Sequence, residues 1–359
     1  FRKKERYLKS NSHLMELPRK ILVGDNVISD LGNFITDIDN KISNVVIISG
    51  ETVRNKIEKN INKSLEKYRI KNYWVVRKDA SFETVSKIKI ELEDLESDLI
   101  LGIGGGKSVD VGKMIAYSIK KPFISIPTSA SHDGISSPFV SLKGSNKPHS
   151  IKANTPIGIL ADIKLISEAP CRLLSSGCGD LIGKITAVKD WELARDDKNE
   201  YFGTYSAYLA KLSADIIMNK SKELLLNDYG VRTIIEALIS AGVAAGIAGS
   251  SRPCSGSEHL FSHALEYITD GNCGLHGERV GIGTIIMSKL YGMDFEGIID
   301  ILENVKAPVK ANQIKLTEKD VVQSLVIAQD LRPERYTILS KTKLDKKSAY
   351  ELAKSAKVI

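Results

Sequence analysis

From Lys20 onward the first half of the chain alternates short β-branched apolar runs with amphipathic stretches of helical length, and few folds accept that pattern. The runs fall at 21–23, 45–49, 73–76, 99–103 and 123–127. A parallel strand connection needs a crossover long enough to hold a helix, so this alternation implies a parallel sheet covered by helices on both faces. Ligands of such sheets collect at the carboxyl ends of the strands. Beyond about residue 170 the strand signals stop. Residues 173–195, 201–219, 231–247, 258–268 and 277–290 carry helical apolar spacing, as do several stretches on to 359. An α/β domain over 16–169 and an all-α domain over 170–359 are expected, behind a basic N-terminal tail at 1–15 and with the active site in the cleft between the two domains.

The run DLILGIGGGKSVD, from Asp98 to Asp110, reads as a buried strand, a glycine-rich turn and a new helix from Lys107. Gly104, Gly105 and Gly106 let a backbone approach closely, and the helix start offers free N–H groups to a phosphate. That makes the first domain Rossmann-like in arrangement and nucleotide-binding in expectation. Neither standard fingerprint is met. Leu101 stands where a P-loop needs its first glycine, and Val109 where GxGxxG needs its last. After the next strand, the loop PTSASHDGISSP over 127–138 is dense in hydroxyls and holds one histidine and one aspartate. Such side chains bond a ribose or a substrate hydroxyl, or equally their own turn.

Three of the chain's six histidines lie in 251–280, SRPCSGSEHLFSHALEYITDGNCGLHGERV. His259 and His263 leave one helix face a turn apart, with Ser255 or Ser257 available as the helix cap. His276 follows beyond a Gly/Asn/Cys-rich connection able to swing it back. Two ligands from one helix and a third from elsewhere leave a metal position open. Leu260 occupies the place of the zincin glutamate, so this is not an HExxH site, and Cys254 and Cys273 stand as alternative soft ligands. Asp180, in SGCGDLIGK, is flanked by small residues that allow something to come close, or else caps a helix. Gly242, Gly246 and Gly249 mark tight helix contact.

Charged residues at 26% and hydrophobic ones at 42% are those of a globular chain. The net charge of +7 is scattered apart from clusters near the two ends, which argues against specific nucleic-acid binding. No apolar run approaches the ~20 residues of a membrane span, no signal-peptide core is present, and the four cysteines form no CxxC pair. Reduced thiols and a cytoplasmic location are expected.

Taken in order, GGGKSVD, TSASHDGISSP, GCGDLIGK, SRPCSGSEHLFSHALE and GLHGERV resemble the glycerol dehydrogenase and dehydroquinate synthase-like superfamily. The fourth motif, with ELPRKILVG over 16–24, is similar to the glycerol-1-phosphate dehydrogenase family within it. The resemblance spans roughly 16–300. It implies an NAD(P)-dependent, zinc-dependent oxidoreductase that interconverts dihydroxyacetone phosphate and sn-glycerol 1-phosphate for archaeal-type phospholipid synthesis. It also implies one Zn2+ per subunit on Asp180, His259 and His276. Substrate contacts fall on Asp133, Asp180 and His263, of which Asp133 and His263 are the catalytic candidates, with His263 on the proton path. Cofactor contacts fall on Gly104, Gly105, Gly106, Lys107, Ser108 and Asp110 around the pyrophosphate, and on Thr128, Ser129, Ser131 and Ser137. A small phosphorylated triose is the expected partner, and a homo-oligomer the expected assembly.

Two other readings share this fold. A glycerol or polyol dehydrogenase would lack a cationic phosphate pocket, for which Arg252, Lys143 and Lys184 are the candidates here. A carbocycle-forming lyase of the dehydroquinate synthase type usually has glutamate as first metal ligand, where this chain has Asp180. Glu51 would favour NAD and Arg77 or Lys78 NADP, and the donor set suits zinc or iron.

Overall fold

A computed structural model describes residues 13–144 and 151–359. Residues 1–12, most of the expected basic tail, lie outside the described residues. His13 of that tail and Glu16 just after it do pack: the His13 ring bonds the Ile247 carbonyl, and a Cβ on Gly246 would stand 3.0 Å from the Glu16 oxygen.

The chain begins β1 (Lys20–Gly24), α1 (Leu31–Ile38), β2 (Asn44–Ser49), α2 (Glu51–Lys67), β3 (Lys71–Val76), α3 (Phe82–Glu91), β4 (Leu99–Gly104), α4 (Gly106–Ser118) and β5 (Phe123–Pro127). A two-residue pair, β6 (Phe139–Val140) and β7 (Ile151–Lys152), precedes β8 (Gly158–Asp162). The rest is helical: α5 (Ile163–Ser167), α6 (Cys171–Ile182), α7 (Lys184–Lys198), α8 (Thr204–Lys220), α9 (Asp228–Ala248), α10 (Ser257–Ile268), α11 (His276–Leu290), α12 (Phe295–Asn304), α13 (Glu318–Leu331), α14 (Ile338–Thr342) and α15 (Lys346–Ser355).

Six parallel strands form one sheet in the order β1-β8-β5-β4-β2-β3. Alternate residues feed opposite faces, as strand geometry requires. Val45 and Ile47 join Leu99, Leu101 and Ile103 in the core under α1 and α2, whereas Val46, Ile48 and Ile100 join the core under α3 and α4. All six residues of β4 are buried, the mark of a strand covered on both sides. The chain steps outward from β2 to β3 and then returns past β2 to β4. The carboxyl ends of β2 and β4 therefore flank the point where strand order reverses, which is where a crevice opens in such sheets.

β8 was not among the expected strands. Among the described residues it is the only strand paired with β1, and its short GILAD sequence is hidden by the glycine and by its closeness to the helical half. Asp162 ends it and caps α5 through the Leu165 N–H, while also accepting from Asn26 and Ile28. The helix expected over 173–195 is two helices, broken at Gly183, where a Cβ would meet Val280 Cγ1 at 2.6 Å. Helix α9 is long and apolar enough to cross a membrane by length and hydropathy, but 72% of that window is buried inside the fold. It is a core helix.

The helical half brings α6 and α11 into backbone contact. A Cβ on Gly179 would stand 2.3 Å from the Gly277 oxygen, and one on Gly277 only 1.7 Å from the Ser176 oxygen. No side chain fits there, and the helices bearing Asp180 and His276 meet as closely as helices can. Gly179→Ala should therefore lower stability by about 1 to 3 kcal/mol through overpacking. Urea unfolding of the metal-free protein reads that loss, and a metal titration of the same variant should show weakened binding because α11 is displaced.

Candidate metal and dinucleotide site

Asp180 sits inside α6, fully buried, so it is not a helix cap. Its Oδ2 accepts the Asp133 N–H at 2.9 Å. Its Oδ1 faces Lys184 Nζ at 3.0 Å, His259 Nε2 at 3.4 Å and His276 Nε2 at 3.6 Å. One carboxylate and two imidazoles, with ligand atoms all within 4.8 Å of one another, form a group able to hold a metal ion. Cys254 and Cys273 are not in that group; Cys254 Sγ donates instead to the Ala241 carbonyl.

Each imidazole is aimed by its surroundings. The Nδ1 of His259 bonds Glu258 Oε1 at 2.7 Å, which leaves Nε2 toward Asp180. Glu258 is itself fully buried and held by the Gly256 N–H at 2.6 Å and the Thr186 hydroxyl at 2.7 Å. A carboxylate behind a ligating histidine fixes its tautomer and ring orientation. Gly256, not Ser255 or Ser257, is the N-cap of α10, and no side chain caps it; the Ser257 N–H goes to Asp190 at 2.6 Å. His276 opens α11. The connection before it is pulled back by Arg279, which donates to Ser262, to the Gly274 carbonyl and to Glu266.

Electrostatics separate the acid from the bases. Burial by itself would raise the Asp180 carboxyl, but Lys184 and the two imidazoles outweigh it and hold it well below the usual range. For His259, burial lowers the pKa and the Asp180 and Glu258 carboxylates more than offset that. Burial pushes His276 down to about 4 and His263 well below its ordinary value. His263 is therefore neutral, and neither of its buried ring nitrogens has a protein partner. Its ring centroid is 6.5 Å from both His259 and His276. Two orphaned nitrogens facing a group of potential ligands fit a site made for a metal and something bound to it.

Lys184 is wholly buried. Its Nζ reaches Asp133 Oδ2 at 2.7 Å, Asp180 Oδ1 and the Cys254 carbonyl at 3.2 Å. It is thus committed and cannot serve as a phosphate cation. Nor can Arg252, which pairs with Glu200 and donates to the Tyr336 carbonyl at 2.8 Å. Lys143 is exposed, with its Nζ 3.6 Å from where a Cβ on Gly271 would stand.

The glycine-rich turn lies on the sheet side. Gly105 is the N-cap of α4, which begins one residue earlier than expected, at Gly106. Gly104 has φ +144, and a Cβ on Gly106 would meet His132 Nε2 at 1.9 Å, so this backbone takes only glycine. Thr128 donates its N–H to the Gly104 carbonyl, and Ser129 Oγ lies 3.3 Å from the Cβ position of Gly105. Lys107 is exposed and Ser108 buried at the start of α4. The Ser131 carbonyl accepts the Ser176 hydroxyl. Asp110 and Ser137 lie behind the turn. Asp110 takes the Ser141 N–H on one oxygen, while the other has no hydrogen-bond partner and faces Lys113 Nζ at 4.0 Å; the Ser137 hydroxyl bonds the Phe139 backbone. Lys113, wholly buried, ties the loop to α4 through the carbonyls of Gly134, Ser137 and Phe139. The His132 ring then bridges the halves, resting on the turn with its centroid 6.0 Å from His276.

A family model described as iron-containing alcohol dehydrogenase matches residues 22–170. The chain is 52% identical over 348 residues to the glycerol-1-phosphate dehydrogenase [NAD(P)+] of Nitrosopumilus maritimus, covering 97% of this chain and 98% of that one. It is 42% identical over 351 residues to the enzyme of that name from Metallosphaera sedula, covering 97% and 99%. Among solved structures, glycerol dehydrogenase from Schizosaccharomyces pombe superposes with a TM-score of 0.81 at 20% identity, over 97% of this chain and 91% of that one. A 1,3-propanediol oxidoreductase superposes at 0.75 and 13% identity, over 96% and 100%. At such identities the superpositions speak for the fold alone.

Two substitutions separate ligand from orienting residue. His259→Ala should abolish metal binding, whereas Glu258→Gln, which keeps an acceptor for Nδ1–H but removes the charge, should weaken it about 10- to 100-fold. Equilibrium dialysis against Zn2+ measures both without reference to activity.

Proposed function

The chain belongs to the glycerol-1-phosphate dehydrogenase family, and from that premise we propose how its own residues carry the reaction. It is an NAD(P)-dependent oxidoreductase acting on a CH–OH group, interconverting dihydroxyacetone phosphate and sn-glycerol 1-phosphate, which fits archaeal-type lipid synthesis. The observation that carries the residue-level reading is the convergence of Asp180, His259 and His276 from three separate helices.

Those three residues hold the metal, zinc in our reading. When bound, the metal supplies electrophilic polarisation of the substrate oxygen and the nicotinamide supplies the hydride. Asp133, one-fifth exposed and fixed by Lys184, orients a substrate hydroxyl. Lys184 also keeps Asp180 ionised, so the carboxylate needs no deprotonation before it binds a cation. Gly104, Gly105, Gly106, Lys107 and Ser108 take the pyrophosphate on backbone N–H groups, beside Thr128, Ser129 and Ser131. Asp110 and Ser137 support that cradle from behind.

His263 moves the proton that the product hydroxyl requires. A neutral imidazole donates from one nitrogen and accepts at the other, so it relays a proton without becoming charged in a buried site. Its two unpartnered ring nitrogens support that role. Free thiols throughout the described residues support a cytoplasmic enzyme. We also read 16–169 and 170–359 as the nucleotide-binding and metal-binding domains, and the enzyme as a homo-oligomer.

Two measurements test the reading. The metal-analysed protein should reduce dihydroxyacetone phosphate far faster than unphosphorylated dihydroxyacetone at equal concentration, yielding the sn-1 ester; preference for the free ketone would make it a polyol dehydrogenase, and no cofactor oxidation with either would favour the lyase. His263→Ala should retain stoichiometric metal while kcat falls about 10²- to 10⁴-fold. Normal turnover by that variant would remove His263 from the proton path.

A further inference from the structure

One cation at the carboxyl edge of the sheet has no part in the mechanism above. Arg77 directly follows β3. Its Nε donates to Ser108 Oγ at 2.9 Å, and its Nη2 lies 3.5 Å from where a Cβ on Gly50 would stand. The guanidinium thus runs from the end of β2 to the first turn of α4, across the crevice where strand order reverses.

Nothing in the protein answers its charge. Burial lowers the pKa of Arg77 and only Asp79 opposes this, while Asp79 is itself engaged by Ser81 and Thr84. Among the described residues no carboxylate comes within ion-pair distance of Arg77. By contrast Arg54, Arg172, Arg252 and Arg279 each pair with a glutamate. A half-buried guanidinium without an anion is poorly stabilised, and a bound anion restores what desolvation removed.

Position identifies the anion. The pyrophosphate belongs to the Gly104–Ser108 turn, whereas the head of Arg77 lies over the end of β2, the side on which sheets of this kind place the adenosine ribose. NAD-selective sites put a carboxylate there to accept the ribose hydroxyl. Here β2 ends at Ser49, Gly50 follows as the N-cap of α2, and Glu51 is exposed in the first turn of α2. The room left by Gly50 and the planar fork of an arginine suit a phosphate monoester.

We propose that Arg77 binds the 2′-phosphate of NADP(H) and makes this chain prefer NADP(H) over NAD(H). The proposal rests on the dehydrogenase reading and adds to it the choice between the two cofactors. Initial rates of dihydroxyacetone phosphate reduction, with NADPH and NADH each varied, test it in the parent protein, Arg77→Ala and Arg77→Lys. The parent should show the higher kcat/KM with NADPH. In Arg77→Ala the NADPH/NADH ratio of kcat/KM should fall about 10- to 100-fold, mainly through the KM for NADPH, and Arg77→Lys should recover part of it. An unchanged ratio would overturn the proposal, as would equal losses with both cofactors, because Arg77 would then serve the shared pyrophosphate or the fold. A parent that oxidises neither cofactor would instead sink the dehydrogenase reading, and calorimetric binding of NADP+ against NAD+ to the same variants would still decide the role of Arg77.

Discussion

The buried Asp180 carboxylate is the constraint on which the rest of the site depends. Through Oδ2 it holds the backbone of the 127–138 loop, and through Oδ1 it faces Lys184 and two imidazoles. One side chain thereby gathers the carboxyl edge of the sheet, the start of α7, helix α10 and the first residue of α11. A carboxylate out of water is tolerated only when every lone pair is answered. That requirement fixes the relative placement of the two halves of the chain more tightly than apolar packing alone, since packing accepts small slides and a charged hydrogen bond does not.

Glycine makes that gathering possible. Gly177 lets α6 run against the Ala130 carbonyl, Gly179 lets it meet α11, and Gly242 brings α9 against the turn carrying Asp133 and Ser136. These are contacts of backbone on backbone, so the functional side chains project from scaffolds that cannot drift apart without losing their packing. Gly106 does the same on the sheet side, where the His132 ring fills the space a side chain would take. The small residues around Asp180 therefore serve helix approach first, and the room for a bound group follows from it.

How much of this was legible in the sequence depended on whether a feature was periodic or contextual. Five strands were readable because runs such as Val45–Ser49 or Leu99–Gly104 are almost wholly apolar and lie between amphipathic stretches. β8 was not, because a five-residue run containing glycine carries almost no periodic signal although the sheet needs it to hold β1. The stretch 173–195 read as one helix because its apolar spacing runs on across Gly183, whose own dihedrals stay helical (φ −55, ψ −23) although the structure divides the helix there. The histidines stood out by rarity. Glu258 did not, since a glutamate in a helix is ordinarily a solvated residue, and only burial reveals it as the partner of His259. Lys184 was misread for the same reason: a lysine suggests an anionic ligand, and nothing local says that two aspartates already claim it.

The charges also explain why this site is built for a divalent cation. Asp133, Asp180 and Glu258 are carboxylates at or behind the ligand group, and Lys184 supplies one ammonium among them. With the histidines neutral, two negative charges remain in excess around a largely buried ligand group. Low dielectric magnifies such an excess, and a protein without a counter-ion relieves it by taking up protons. His259 shows this tendency, held above its ordinary pKa by Asp180 and Glu258 against the effect of burial. A doubly charged ion on the same three ligands removes the excess and frees that proton, so ligand set and surrounding charge ask for the same occupant. Asp190, behind Glu258, is pushed up to about 6 by burial and by that neighbour, and its oxygens are answered by the Ser257 and Ile338 N–H groups and the Tyr291 hydroxyl.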